Sequence, residues 1–358
     1  MRVCILGENL TSLTLAKALS NLKIHVDIVS NNKKNRQYSK SRSLGISSSN
    51  EDFLSNQIVN VKKLAWKINN IEIYTDNFLN KHLFNFEKKE KYLFSIIKNF
   101  QFYRLLKKSL KNSRYFKKKK SFLEKRYNLI INTEFNNELS KKYFSKKIEK
   151  DYEGIAYTTI LKHKKILNNK AVQIFTKLGP IAYLPLSNYE TSVVYSLNKK
   201  KNFGDAEIKK LIKNFNRNYK ISKIGEIEKF KLKSYHLRSY YNKNILAFGD
   251  LLHKIHPLAG QGFNMTLRDI QNLTKIIKKK ISLGLPIDSA VCEEFENTIK
   301  HKNFIFSQGI DFIYEFFKFE RKTNNLLLNK SINFIGKNKS LMNTFSNIAD
   351  SGDIIKFY

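Results

Sequence analysis

The side chains best placed to do chemistry lie in Ala247-Phe-Gly-Asp-Leu-Leu-His-Lys-Ile-His-Pro-Leu-Ala-Gly-Gln-Gly-Phe-Asn264. The apolar run Ile245–Phe248 reads as a buried strand that ends in Gly249 and Asp250. A carboxylate at a strand's end can accept hydrogen bonds from ribitol or ribose hydroxyls. A tight loop with Pro257, Gly260 and Gly262 follows, and its glycines let backbone come close to a ligand. The helix that comes next offers N–H groups and positive partial charge to an anionic group. An ordinary strand-loop-helix connection would explain a bare Gly-Asp pair, but not this whole string. His253 and His256 raise the question of metal or acid–base chemistry. No other ligand types cluster beside them, so no metal site is expected.

The elements that must position this segment follow from periodicity. Residues 1–30 read strand, turn, helix, strand. Val3, Ile5 and Leu6 are apolar, Leu10–Leu22 has helical spacing, and Ile24–Val29 alternates with period two. That is a βαβ unit of nucleotide-binding size. Residues 31–43 are polar and basic and read as a loop. The run Lys117–Lys120 reads as a solvated turn, and Tyr127–Ile131 as a buried strand. Residues 152–197 alternate and read as sheet. Residues 205–219 fit a helix, and from about 264 the pattern is helical through a Phe-rich stretch, 304–319. Phe304, Phe306, Phe312, Phe316 and Phe317 there are read as core contacts, with a membrane or partner face as the alternative.

Composition bounds the class. The chain has 358 residues, with 27 Phe and 18 Tyr, enough for a sizeable core. No apolar run approaches the ~20 residues of a membrane span. The N-terminus shows no secretory pattern, so a cytoplasmic, non-secreted protein is expected. Cys4 and Cys292 make neither a disulfide framework nor a zinc site. The net charge of +36 favours anionic lipid and phosphate-bearing ligands, although AT-rich codon usage is the simpler origin of the lysines. No nucleic-acid-binding signature accompanies the charge, so no nucleic-acid partner is expected.

Gly249-Asp250, His253, His256-Pro257, Ala259-Gly-Gln-Gly262, Asn264 and Asp269 together resemble the second FAD motif of the para-hydroxybenzoate-hydroxylase-like flavin monooxygenases. Within that family the string is most similar to the hydroxylases of ubiquinone biosynthesis. The similarity extends to Arg42-Ser-Leu-Gly-Ile-Ser-Ser-Ser49, to Phe175–Leu186, and to Trp66 and Tyr152. The resemblance implies an α/β fold: a FAD-binding Rossmann-like domain interleaved with a smaller sheet-rich substrate domain, and a helical C-terminal tail. The FAD domain would comprise 1–70, 95–150 and 240–290, the substrate domain 71–94 and 151–239, and the tail 291–358. Cofactor-binding residues carried over are Gly7, Asn9, Ser12, Arg42, Gly249, Asp250, Pro257, Gly260, Gln261, Gly262 and Asn264. No side chain is assigned as a nucleophile.

The opening departs from the family's Gly-x-Gly-x-x-Gly and reads Gly7-x-Asn9-x-x-Ser12. Asn9 is expected to take the left-handed conformation a glycine would have, with its side chain in the path of the pyrophosphate. The second strand ends in Ser30 rather than an acid, and Asp27 comes three residues too early. In Thr133-Glu-Phe-Asn136, Glu134 replaces the family's acid and Phe135 its glycine. The implied reaction is hydroxylation of a polyprenylated phenol or benzoquinol precursor. NAD(P)H reduces FAD, and the reduced flavin forms a flavin hydroperoxide with O₂ that transfers one oxygen. Such a lipophilic substrate, with the positive charge, suggests association with the cytoplasmic face of an anionic membrane and contact with other ubiquinone-biosynthesis proteins. The alternative is a non-catalytic family member acting as a partner or scaffold in the biosynthetic complex.

Overall fold

A computed structural model describes residues 1–30, 40–76, 83–87, 92–198, 203–323 and 338–352. The chain opens with β1 (Arg2–Leu6), α1 (Leu10–Asn21) and β2 (His25–Val29). Then come β3 (Ser43–Ser47), α2 (Ser48–Phe53), β4 (Trp66–Ile68), β5 (Asn70–Thr75), β6 (Phe84–Glu87), β7 (Phe94–Lys98) and α3 (Asn99–Lys111). They are followed by β8 (Phe116–Lys119), β9 (Leu129–Asn132) and α4 (Glu138–Tyr143). A long antiparallel section holds β10 (Lys147–His163), β11 (Lys170–Thr176), β12 (Gly179–Pro185), β13 (Glu190–Asn198), α5 (Asp205–Asn214), β14 (Ile221–Ile224) and β15 (Glu228–Leu237). The chain then returns through β16 (Tyr241–Asn242), β17 (Ile245–Ala247) and β18 (His253–Lys254) to α6 (Gln261–Ser282), α7 (Ser289–Thr323) and α8 (Lys339–Ser351). The α/β class expected from the sequence is observed. Residues 31–39 of the polar stretch, and 324–337 and 353–358 of the tail, lie outside the described residues.

Six strands form a sheet in the order β16-β17-β9-β1-β2-β8. All its pairings are parallel except β16 with β17. The central strands β1, β2 and β9 are largely apolar, as a sheet covered on both faces demands: Val3, Cys4, Ile5, Val26, Ile28 and Leu129–Ile131 are all buried. They pack against Leu15 and Leu19 of α1, Phe102 and Leu106 of α3, Leu267 and Ile270 of α6, and Phe295 of α7. From β1 the chain passes to β2 on one side, and β9 lies on the other. The crevice between β1 and β9 is therefore the topological switch point, where ligands of open α/β sheets bind.

The second sheet has nine strands, along β18-β15-β10-β13-β12-β11-β5-β6 with β14 beside β10. Its two faces differ in side-chain size. Val193, Tyr195 and Leu197 of β13 point into a core closed by Ile208 and Ile212 of α5. The alternating residues Ser192, Val194 and Ser196 point the other way, into the cleft described below. A third sheet, β3-β7-β4, lies between the two in sequence. Segment 249–260 crosses from one large sheet to the other: β17 belongs to the first, and β18 pairs with β15 in the second.

Three expectations are corrected. The lysine run is not a turn: Phe116–Lys119 is strand β8, parallel to β2 at the sheet edge. Successive lysines point to opposite faces and find acids there, Lys118 at Glu8 and Lys119 at the buried Asp27, 2.7 Å away. The helix expected over 205–219 stops at Asn214, because Asn216 closes a turn by accepting the Tyr219 N–H at 3.1 Å. The Phe-rich stretch divides: Phe306 and Phe317 are core, whereas Phe304 and Phe312 are exposed.

Candidate cofactor and substrate cleft

One cleft of about 1860 Å³ gathers these segments. That exceeds the ~300–1,000 Å³ of a typical small-molecule site, so there is room for a dinucleotide and a second ligand together. Its floor is the switch point, with Asn9, Thr11 and Glu134. One wall is Arg42–Gly45 and the 253–264 segment, and the other is the small-residue face of the nine-stranded sheet. Helix α7 contributes Phe312, Phe316 and Phe317.

Beside the switch point, glycine is required by the protein itself at Gly7 and Gly249. Gly7 leaves β1 at φ +106, and a Cβ there would sit 2.6 Å from Glu134 Cγ and Thr133 Oγ1. Gly249 has φ +63, and a Cβ would sit 2.6 Å from Thr11 Cγ2 in the first turn of α1. The Gly249 contact brings Asp250 to the mouth of the switch point. Asp250 is exposed on the cleft, and its carbonyl accepts a short hydrogen bond from the Tyr235 hydroxyl. Burial, with the Asp250 and Glu149 charges, pushes the Tyr235 phenol up, so it stays a donor.

Helix α6 starts from Gly260, whose lack of a side chain leaves the helix N-terminus uncapped. Gly260, Gln261 and Gly262 at this helix start line the cleft, and Gln261 Oε1 is buried and bonded to nothing among the described residues. A buried acceptor without a donor is costly, so a ligand N–H or O–H there is favoured. Pro257 and Gly262 line the same wall.

Asn264 sits on this wall, but its amide is used inside the protein. It accepts the Ser47 N–H at 3.0 Å and the Asn50 amide at 3.1 Å, and it donates to the Gly45 carbonyl at 2.9 Å. It thereby fixes β3 against α6 and holds Arg42 at the cleft. Arg42 lies 3.4 Å from Glu228 and over the Phe230 ring at 5.1 Å.

The altered opening behaves differently from its reading in the sequence. Asn9 is extended, φ −134 and ψ 179, and it is the N-cap of α1. Its Oδ1 accepts the Ser12 N–H at 3.0 Å, and Ser12 Oγ accepts the Asn9 N–H at 2.8 Å, a reciprocal capping box. Asn9 Nδ2 donates to Thr133 Oγ1 at 3.0 Å. The left-handed residue of the turn is therefore Gly7 alone, and Ser12 is a capping partner as well as a small packing residue. Asp27 faces away from the cleft and is bonded to Tyr127 at 2.8 Å.

Two clusters join side chains whose pairing the sequence does not show. His253 Nε2 meets Asp269 Oδ2 at 2.5 Å, and Asn303 of α7 donates to the other oxygen at 2.9 Å. All three are buried and lock loop, α6 and α7 together. His256 is fully buried between the rings of Tyr152 and Tyr314, at 4.8 and 4.4 Å. Burial and the Lys150 charge push it down to about 3, so it is neutral near pH 7. Tyr152 is hydrogen-bonded to Asp311, whose carboxyl burial raises. Among the described residues no cluster of ligand types could hold a metal.

A family model described as "FAD binding domain" matches residues 140–282. The ubiquinone biosynthesis monooxygenase COQ6 of Dictyostelium discoideum is 25% identical over 228 residues, 52% of this chain and 45% of that protein. The 3-demethoxyubiquinol 3-hydroxylase of Escherichia coli is 30% identical over 166 residues, 43% of this chain and 40% of that protein. The matches thus span under half the length of these curated relatives. The structure of p-nitrophenol 4-monooxygenase from Pseudomonas putida superimposes with a TM-score of 0.79 at 10% identity, over 98% of this chain and 97% of that one. A 2-methyl-3-hydroxypyridine-5-carboxylic acid oxygenase gives 0.72 at 13% identity, over 90% of this chain and 93% of that one. The resemblance to ubiquinone-biosynthesis hydroxylases is borne out in sequence, and the monooxygenase fold is shared over nearly the whole chain.

Proposed function

We propose that this chain is a FAD-dependent monooxygenase that hydroxylates the aromatic ring of a polyprenylated phenol or benzoquinol precursor in ubiquinone biosynthesis. The observation that carries this reading is one cleft joining Asp250 and the uncapped start of α6 to a small-residue, largely apolar sheet face. Bound FAD would supply the redox and oxygen chemistry, with NAD(P)H as the proposed donor. Asp250 would accept hydrogen bonds from ribityl hydroxyls. The α6 N-terminus would face negative charge on the flavin ring, and Gln261 Oε1 would accept an N–H. Val194, Leu184, Phe230 and Leu232 would hold an apolar ring and exclude water. His256, held near 3 by burial, brings no charge to the cleft near neutral pH.

Among the described residues no helix is long and apolar enough to cross a membrane. Peripheral contact with anionic lipid is proposed through the +36 charge and the exposed Phe312 and Phe319 of α7, at 70% and 55% exposure. The second reading, a non-catalytic partner in a biosynthetic complex, is favoured by one observation: the self-capped Asn9 at the start of α1. Purified protein should show flavin absorbance and, with NAD(P)H and a short-chain prenylphenol, yield a product heavier by one oxygen atom. Flavin binding without product favours the partner reading. No binding at saturating FAD removes the monooxygenase reading.

A further inference from the structure

Resting on that reading, the cleft treats the two halves of a flavin dinucleotide unequally. In a βαβ unit the pyrophosphate binds at the first helix N-terminus, and a carboxylate ending the second strand takes the adenosine ribose. Here the Ser12 N–H of α1 is already satisfied by Asn9. Swinging that carboxamide away would also break its bond to Thr133. The second strand ends at Val29, and Ser30 follows it with no acid. Asp27 is buried against Lys119 and Tyr127 and cannot take the missing role. Glu8 is tied to Lys107 at 3.3 Å, to Lys118 and to the Tyr103 hydroxyl at 3.2 Å. Lys120 lines the cleft at this end, but a lysine attracts any phosphate without distinguishing its ester.

The flavin half has the opposite character. Asp250 is exposed to the cleft, α6 is uncapped, and Gln261 presents a buried acceptor with no partner among the described residues. We propose that this chain grips its cofactor through the flavin and ribityl groups and gains little from the adenylate, so that FMN binds nearly as tightly as FAD.

The test is titration of flavin-free protein with FAD, FMN and ADP at one ionic strength, read by flavin fluorescence. FMN should bind within about tenfold of FAD. ADP in millimolar excess should leave bound flavin in place. Asn9→Gly, which frees the Ser12 N–H, should tighten FAD more than FMN. If FAD binds more than about a hundredfold tighter than FMN, or ADP displaces the flavin, or Asn9→Gly weakens FAD selectively, the proposal is overturned and the monooxygenase reading stands. If neither flavin binds, both fall.

Discussion

Alanine at Gly249 and at Gly262 should have opposite effects on stability, because only the first glycine is needed by the protein. At Gly249 the backbone is left-handed, φ +63, and an added Cβ would lie 2.6 Å from Thr11 Cγ2 and 3.0 Å from its Oγ1. The conformation costs an L-residue roughly 1–2 kcal/mol. The clash with a packed helix adds roughly 1–3 kcal/mol. Gly249→Ala should therefore destabilise by about 2–5 kcal/mol, a large part of the ~5–15 kcal/mol that holds a domain together. Thr11→Ala removes the two nearest atoms, so in the double variant the packing share should return and the backbone share should not. At Gly262 an added Cβ meets nothing closer than Ile255 Cγ1 at 3.9 Å, and the residue is in the first turn of α6. Gly262→Ala should stabilise the flavin-free protein by ~0.5–1 kcal/mol. It should nonetheless weaken flavin binding, since the fold does not need a glycine there and the cleft needs the open backbone. The measurement is urea unfolding of the four flavin-free variants and wild type, followed by flavin titration. A Gly249→Ala protein within about 0.5 kcal/mol of wild type, or no coupling to Thr11, would refute the packing argument. Unchanged flavin affinity in Gly262→Ala would refute the assignment of that wall to the cofactor.

Asp250→Ala should leave unfolding unchanged and weaken FAD about ten- to a hundredfold, the ~1.5–3 kcal/mol of a hydrogen bond to a charged group. Asp27→Ala should do the reverse, because Asp27 is buried on Lys119 and Tyr127. Unfolding and titration on both proteins decide it, and equal flavin affinities would show that Asp250 does not face the cofactor. His256 is pushed to about 3 in the fold, below its usual range. The unfolded chain therefore binds a proton that the fold does not, and stability should fall as pH drops from about 6.5 toward 3. His256→Phe, which keeps a ring between Tyr152 and Tyr314, should remove up to ~1.4 kcal/mol per pH unit of that slope. A slope identical to wild type between pH 4 and 6 on urea unfolding would contradict the burial argument. Phe319→Glu, on the exposed side of α7 and outside the cleft, should lower sedimentation with anionic vesicles while leaving flavin binding intact. Unchanged sedimentation would remove α7 from the proposed membrane face.

What was legible in the sequence was what a local pattern or a long motif encodes. The period of Leu10–Leu22 gave α1 to within one residue, and the apolar runs gave β2, β9 and β17. Asp250, Gly260 and Gln261 were legible because one continuous string carries them into a single cleft. Strand β8 was not legible, because its lysines lack any apolar alternation. They are held in a strand by Glu8 and Asp27, roughly a hundred residues earlier, and the sequence does not show that pairing. Asn303 as a partner of Asp269, and the Tyr152–Asp311 pair, were hidden because their partners are distant in sequence.

Asn9 is the instructive case. Compared with a family glycine, it reads as a turn residue obstructing a phosphate. Read locally, Asn9-x-x-Ser12 is a helix-capping pattern, and that local signal is the one the structure follows. The two readings lead to different chemistry. An obstructing Asn9 would be an isolated loss, and its replacement by glycine would simply restore a site. A capping Asn9 satisfies the helix start from within, while Asp27 and Glu8 are each bonded to nearby lysines. The Ser12 N–H and both acids of the N-terminal unit thus have partners without a ligand. The buried acceptor of Gln261 and the uncapped start of α6 leave the second half of the cleft incomplete, and it is this unmet demand that draws the cofactor to that end.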